Sequence, residues 1–237
     1  MARLGINIAD IAVLRETEGG IVPDPVTAAM YAELGGADGI VCTVQESLQP
    51  ITERDVQVLK EIVKTHFNLQ IPPEEKMINL GLSVSPDMIT LIPGKKPGST
   101  SGGGLDALGQ EAQLTRIIQD IRAQDIVVSL LIEPIVHQVK AAAKIGTDYI
   151  EFHMGGYASA ADLNERADHL ENISSLAMAA SKLGLGVSAS QQLNYQNIPD
   201  IVSIDKIEEI NVGHAVVVRA LWIGMEQAVR DMVALVH

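Results

Sequence analysis

Short apolar runs rich in Val and Ile alternate with longer segments of helical period, the pattern of repeated βα units around a parallel sheet. The runs number close to eight, and glycine-containing turns recur between helix and strand, as in KIGTDYIEF and KLGLGVSAS. Eight such units within 237 residues predict an α/β fold of the TIM (β/α)8 barrel type. A doubly wound sheet is the alternative, because periodicity alone does not count closure.

In chain order, the predicted strands are LGINIA (4–9), GIVCTV (39–44), FNLQI (67–71), MITLIPG (88–94), IVVSLLI (126–132), YIEFHMG (149–155), GVSAS (186–190) and EINVGHAVV (209–217). Helices are predicted over 25–35, 53–65, 109–124, 136–145 and 160–183, each with apolar residues three and four apart. PDPVTAAMYAELGGADGI shows the punctuation: a proline near the helix start, Gly35 and Gly36 past its end, then the next strand. The 160–183 segment is long enough for two helices. No linker or shift of composition divides the chain, so 1–237 reads as a single domain.

Hydrophobic residues make up 47% and charged residues 20%, as in soluble globular proteins. The opening MARLGINIADIAVL has one arginine and an apolar run broken by Asn7 and Asp10, which gives neither a signal peptide nor a membrane span and predicts a cytoplasmic protein. The single cysteine, Cys42, excludes an intrachain disulfide and a cysteine cluster for zinc, and reads as a small buried residue. Met30, Met77, Met88, Met178, Met225 and Met232 lie in periodic apolar segments and read as core. A formal charge of −13 repels nucleic acid and anionic membrane, so a small anionic ligand would need local donors.

In a barrel, chemistry sits at the C-terminal ends of the strands. That rule selects Asn7, Ala9 and Asp10, then Thr43, Gln45 and Glu46, then Gln70. Further along it selects Glu151 with His153, then Ser188, Ser190 and Gln191, and finally Asn211, Gly213 and His214. Groups able to transfer a proton near neutral pH are few among them: Glu151, His153, His214, Asp10 and Glu46. Glu151 and His153, two apart, share one face of their strand. They fit either a catalytic pair or a structural Glu–His hydrogen bond. The loop 94–106, GKKPGSTSGGGLD, lacks P-loop spacing and fits a phosphate cradle, a lid or a plain surface loop. Gly213 ends the last strand, where barrels often hold phosphate on backbone amides.

The strings LGINIADIAVLRE, VPDPVTAA with GADGI, ITERDVQVLK, STSGGGLDALGQ, VVSLLIE, AKIGTDYIEFHMGGYA and EINVGHAVVVRA stand in the order found in the pyridoxine 5′-phosphate synthase family, which the chain resembles over nearly its whole length. The resemblance implies a barrel with extra helices, homo-oligomers, no metal or other cofactor, and, if active, a transferase. That reaction condenses 1-deoxy-D-xylulose 5-phosphate with 3-amino-2-oxopropyl phosphate in vitamin B6 synthesis. It also implies that Asn7, Gly213 and His214 hold the aminoketone phosphate, that Thr100 contacts the pentulose phosphate, and that Glu151 supports the condensation.

Other positions depart from the family pattern. The acid–base histidine after strand two falls on Thr43, the strand-three glutamate on Gln70, and the glycine-flanked histidine after strand seven on Gln191, between Ser190 and Gln192. Basic residues for the pentulose phosphate fall on Gln45 and Pro50, an arginine on Glu18, and an Asp-His pair on Ala9 and Asp10. Thr and Gln do not titrate near neutrality, and each lost general acid or base costs roughly 10²- to 10⁴-fold in rate. Three readings follow: a synthase in which Glu151, His214 and Asp10 take over, a barrel enzyme for another small phosphorylated or carbonyl substrate, or a pseudoenzyme binding a metabolite or a protein partner. The polar replacements favour the last.

Overall fold

The computed structural model describes residues 1–45, 50–94 and 103–237. In chain order the elements are β1 (Arg3–Asn7), α1 (Ala9–Glu18), α2 (Pro25–Leu34), β2 (Gly39–Thr43), α3 (Glu53–Ile62), β3 (His66–Ile71), α4 (Glu75–Val84), β4 (Met88–Leu91), α5 (Glu111–Arg122) and β5 (Val127–Ile132). They continue with α6 (Val136–Ile145), β6 (Tyr149–His153), α7 (Gly155–Ala158), α8 (Leu163–Lys182), β7 (Gly186–Ser190), α9 (Ile198–Val202), β8 (Glu209–Val212), α10 (His214–Ile223) and α11 (Met225–Val236). Each strand pairs in parallel with the next, and β8 returns to β1 with Arg3 opposite Glu209 and Gly5 opposite Asn211. The eight strands form a closed barrel, which removes the doubly wound alternative.

Period-two alternation decides what each face meets. Leu4, Ile6, Ile40, Cys42, Phe67, Leu69, Ile150 and Phe152 are 0–1% exposed and belong to the apolar core. On β3 and β6 the residues between them, Asn68 and Glu151, are polar, whereas β1 and β2 have Gly5 and Val41 there. Asn68, Gln70, Thr90, Ser129, Glu151, Ser188, Glu209 and Asn211 are also buried. Hydrogen bonds from β3 to β6 and from β8 to β6 place this second set inside the barrel.

Local chemistry sets the helix starts. Asp24 caps α2 by accepting from the N–H groups of Val26 and Thr27, with Pro25 at the first helical position. Thr52 and Asp55 form a reciprocal capping box on α3. Asp55 also takes Arg15 in a two-point ion pair at 2.7 and 3.1 Å, and Arg15 donates to the Pro50 carbonyl as well, so α1 is tied to the start of α3 at a buried site.

Several boundaries differ from the sequence expectation. β8 stops at Val212, and HAVVVRALWI is the helix α10 rather than a strand reaching 217. A β-branched apolar run carries no period of its own. Here Val216 and Val217 are buried while Val218, Leu221 and Trp222 face outward, the last 83% exposed. β4 ends at Leu91, and β6 ends at His153 before the helical turn Gly155–Ala158. Leu163–Lys182 is one helix, started by Asp162 accepting from Asn164 and Glu165. Met30 and Met178 are about half exposed, not core. No helix of the described residues is long and apolar enough to cross a membrane.

Candidate functional site

A cavity of about 800 Å³ opens at the C-terminal ends of the strands. Asn7 lines it from β1, Ala9 and Asp10 from the start of α1, Thr43 from the end of β2 with Gln45 just after it, and Gln70 from β3. Ser190, Gln191 and Gln192 line it from the end of β7 and the turn after it, and Asn211, Gly213 and His214 line it beside them from the end of β8. Of the strand-end residues singled out in the sequence, Glu151 and His153 are not among those that line this cavity. Ser188 lies deeper, its hydroxyl donating to the Ile150 carbonyl at 3.3 Å. Glu46 and Thr100 lie outside the described residues, as do most of the 94–106 loop and the Glu18 side chain.

The floor is a directed chain of hydrogen bonds. Asn7 has its amide orientation fixed because its Oδ1 accepts from the Ala9 N–H at 3.0 Å. Its Nδ2 donates to Thr43 Oγ1 at 2.7 Å, Thr43 Oγ1 donates to Gln70 Oε1 at 2.8 Å, and Gln70 Nε2 donates to Glu151 at 3.1 and 3.3 Å. From the other side, Asn211 Nδ2 donates to Glu151 Oε2 at 3.3 Å and to Glu209 Oε1 at 3.2 Å. Gly5 makes room for this arm, since a Cβ there would stand 1.9 Å from Asn211 Oδ1.

Glu151 is 0% exposed. Burial raises its pKa to about 7, helped by the neighbouring charge of Glu209 and opposed by Ser190, Asn211 and Gln70. That value suits a general acid or base at neutral pH. The carboxylate nevertheless lies beneath Gln70 and Asn211, which line the cavity when Glu151 itself does not.

His153 does not join it. Its Nδ1 accepts from the Gly155 N–H at 3.3 Å and stands 3.4 Å from Glu133 Oε1. The structural Glu151–His153 hydrogen bond is therefore not formed, and the two groups serve different neighbours. Glu133 also accepts from the Gly104 N–H at 2.9 Å, tying the chain after 102 to the end of β5. A Cβ at Gly104 would lie 2.1 Å from the Glu133 nitrogen, so that close approach needs the glycine. At the rim, His214 Nδ1 and Asp10 Oδ2 are 2.8 Å apart, the imidazole exposed and the carboxylate half-buried.

Sequence reasoning missed Glu133, Glu209 and the Asn68–Thr90 pair, in which Thr90 Oγ1 donates to Asn68 Oδ1 at 2.9 Å. The alternation in FNLQI and EIN was the available signal. It placed Asn68 and Glu209 on the same face as Gln70 and Asn211.

The family model described as "Pyridoxal phosphate biosynthesis protein PdxJ" matches residues 4–237. The chain belongs to this family. It is 43% identical over 236 residues to the pyridoxine 5′-phosphate synthase of Geobacter metallireducens and 44% identical over 237 residues to that of Geobacter sulfurreducens, covering 100% of this chain and 99% of each relative. The Synechococcus enzyme of the same name is 41% identical, with 95% of its length covered. Among solved structures, the thiamine phosphate pyrophosphorylase of Pyrococcus furiosus has a TM-score of 0.65 at 15% identity, covering 99% of this chain and 95% of that one. The phosphoribosyl anthranilate isomerase of Thermotoga maritima also has a TM-score of 0.65, at 14% identity and 100% and 98% coverage. At those identities the likeness is one of fold, and it agrees with the closed barrel of this member of the synthase family.

Proposed function

We propose that this member of the family binds a small metabolite at the barrel mouth and does not carry out the full ring-closing condensation. The observation that carries this reading is the covering of Glu151. A ligand in the cavity meets Asn7, Thr43, Gln70, Gln191 and Asn211 before the Glu151 carboxylate, and none of those five titrates near neutrality. Imine formation, dehydration and ring closure each need protons moved. Among the described lining residues the only titratable pair is Asp10–His214, on the rim.

A second reading, a working pyridoxine 5′-phosphate synthase, is favoured by identities of 41–44% over the whole chain to proteins of that name. It requires Glu151 to reach substrate through displaced Gln70 and Asn211, with Asp10–His214 as the second proton carrier. Incubation with 1-deoxy-D-xylulose 5-phosphate and 3-amino-2-oxopropyl phosphate separates the two. We expect no pyridoxine 5′-phosphate above a protein-free control. Product that appears with the wild type and disappears in Glu151→Gln would establish the synthase reading instead.

A further inference from the structure

Glu151 and Glu209 are buried carboxyls bridged by a single nitrogen. Asn211 Nδ2 donates to Glu151 Oε2 at 3.3 Å and to Glu209 Oε1 at 3.2 Å, and both residues lie inside the barrel, 0% and 4% exposed. Like charges so close in a low-dielectric interior disfavour joint ionisation, so the two carboxyls compete for one proton. Where that proton sits depends on which anion has the better partners.

The partners differ in kind. Among the described residues, the groups that steady the charged form of Glu151 are neutral: Gln70 from β3, Ser190 from β7 and Asn211 from β8. Glu209 shares the Asn211 amide and adds a cation, Arg3, whose guanidinium nitrogen stands 3.3 Å from its Oε2. Arg3 and Glu209 open β1 and β8 and are paired in register. The cation therefore stands at the N-terminal end of the barrel, roughly 13 Å along β1 from Asn7 at the mouth. The other ionisable groups beside it are Tyr149 and Glu208, the Tyr149 hydroxyl donating to Glu208 Oε2 at 3.0 Å. Opposite Glu209 on β7 is the neutral Ser188.

We propose that Arg3 is a positioning residue for the proton of the barrel floor: its charge keeps Glu209 as the anion and leaves the shared proton on Glu151, so that the group beneath the mouth is held as an uncharged acid. By number of donors alone, Glu151 is the better anion, and the guanidinium charge reverses that order. Without the charge Glu209 takes the proton and Glu151, with three side chains supporting it, becomes the anion. One proton moves between carboxyl oxygens, and nothing else is gained or lost. The direction agrees with burial and then the Glu209 charge pushing Glu151 up to about 7 against Ser190, Asn211 and Gln70. The assignment holds whatever the mouth binds, because it concerns only the floor.

An NMR pH titration of the full-length protein, carbon-labelled at the glutamate carboxyls and assigned through Glu151→Gln and Glu209→Gln, tests the proposal. In the wild type the carboxyl titrating at about 7 should be Glu151. Arg3→Met keeps an unbranched side chain without charge; there the Glu151 midpoint should fall by about one pH unit or more, with Glu209 now the later of the two to lose its proton. Arg3→Lys should restore the wild-type order, and the Glu208 signal in the same spectra reports any change confined to the Tyr149 contact. Glu209→Gln removes the neighbouring charge without touching β1 and should also lower the Glu151 midpoint, a readout that stands even if Arg3→Met fails to fold. An unchanged Glu151 midpoint in either folded variant overturns the proposal, even where stability has dropped. So does a wild type in which Glu209 is the carboxyl that titrates near neutrality.

Discussion

Along the same strands, the outer face of the barrel wall and its inner face are chemical opposites. On β6, Ile150 and Phe152 are fully buried against the helix layer, whereas Glu151 between them is equally buried but held by Gln70 and Asn211. On β3, Phe67 and Leu69 face one way and Asn68 and Gln70 the other. Burial alone therefore says little about role in this protein. The outer face stabilises through apolar area and tight packing, whereas the inner face relies on hydrogen bonds between strands and keeps a charge-capable group at the floor of the mouth.

The largest contrast is expected from the outer face. Phe152→Ala removes a ring at 0% exposure and should destabilise the protein by about 3–5 kcal/mol, read from urea unfolding with an unchanged slope. A loss below about 1 kcal/mol would mean that the outer core collapses around the gap and that the two faces differ less than their contacts imply.

On the inner face, Glu151 links stability to pH. Its folded pKa of about 7 lies above the ordinary 4.5, so the native state holds a proton that the unfolded state releases between those values. Stability from this group is present below pH 4.5 and lost as pH rises through about 7. Glu151→Gln keeps an uncharged group throughout. Relative to the wild type it should gain roughly 3 kcal/mol between the acid and the neutral side of that window. Parallel pH–stability curves for the two proteins would show that the carboxyl is not desolvated as the barrel floor requires.

A smaller effect is expected one layer down. Thr90→Val keeps the shape but removes the hydroxyl that donates to Asn68, whose Nδ2 has no partner among the described residues, and should cost roughly 1–2 kcal/mol, with Thr90→Ser close to wild type. Equal stability of the Val variant would show that the polar inner layer adds nothing to the fold beyond filling space.

Much of this was legible in the sequence for a simple reason: side-chain direction along a strand depends only on parity. FNLQI, YIEFH and EIN each announce which residues share a face, and the position of Glu151 two before His153 put both on the inner one. The end of β8 was not legible, because HAVVVRALWI is as apolar and β-branched as a strand and became α10 only through what its neighbours cover. Nor was the turn after β7. Nothing in SASQQLN signals two left-handed residues, and the usual marker, glycine, is absent there.

The sequence by itself determined the eight βα units, the faces of their strands and the membership of Glu151, Gln70, Thr43 and Gln191 in one set of strand ends. Only the tertiary structure decided that Gln70 meets Glu151 across 81 residues, that Asn211 joins Glu151 to Glu209, and that His153 turns instead toward Glu133. The reason is physical. Parity and helical period are properties of a few consecutive residues, but a hydrogen bond, a desolvated carboxyl and its pKa depend on which distant strands closure brings to the same depth of the barrel.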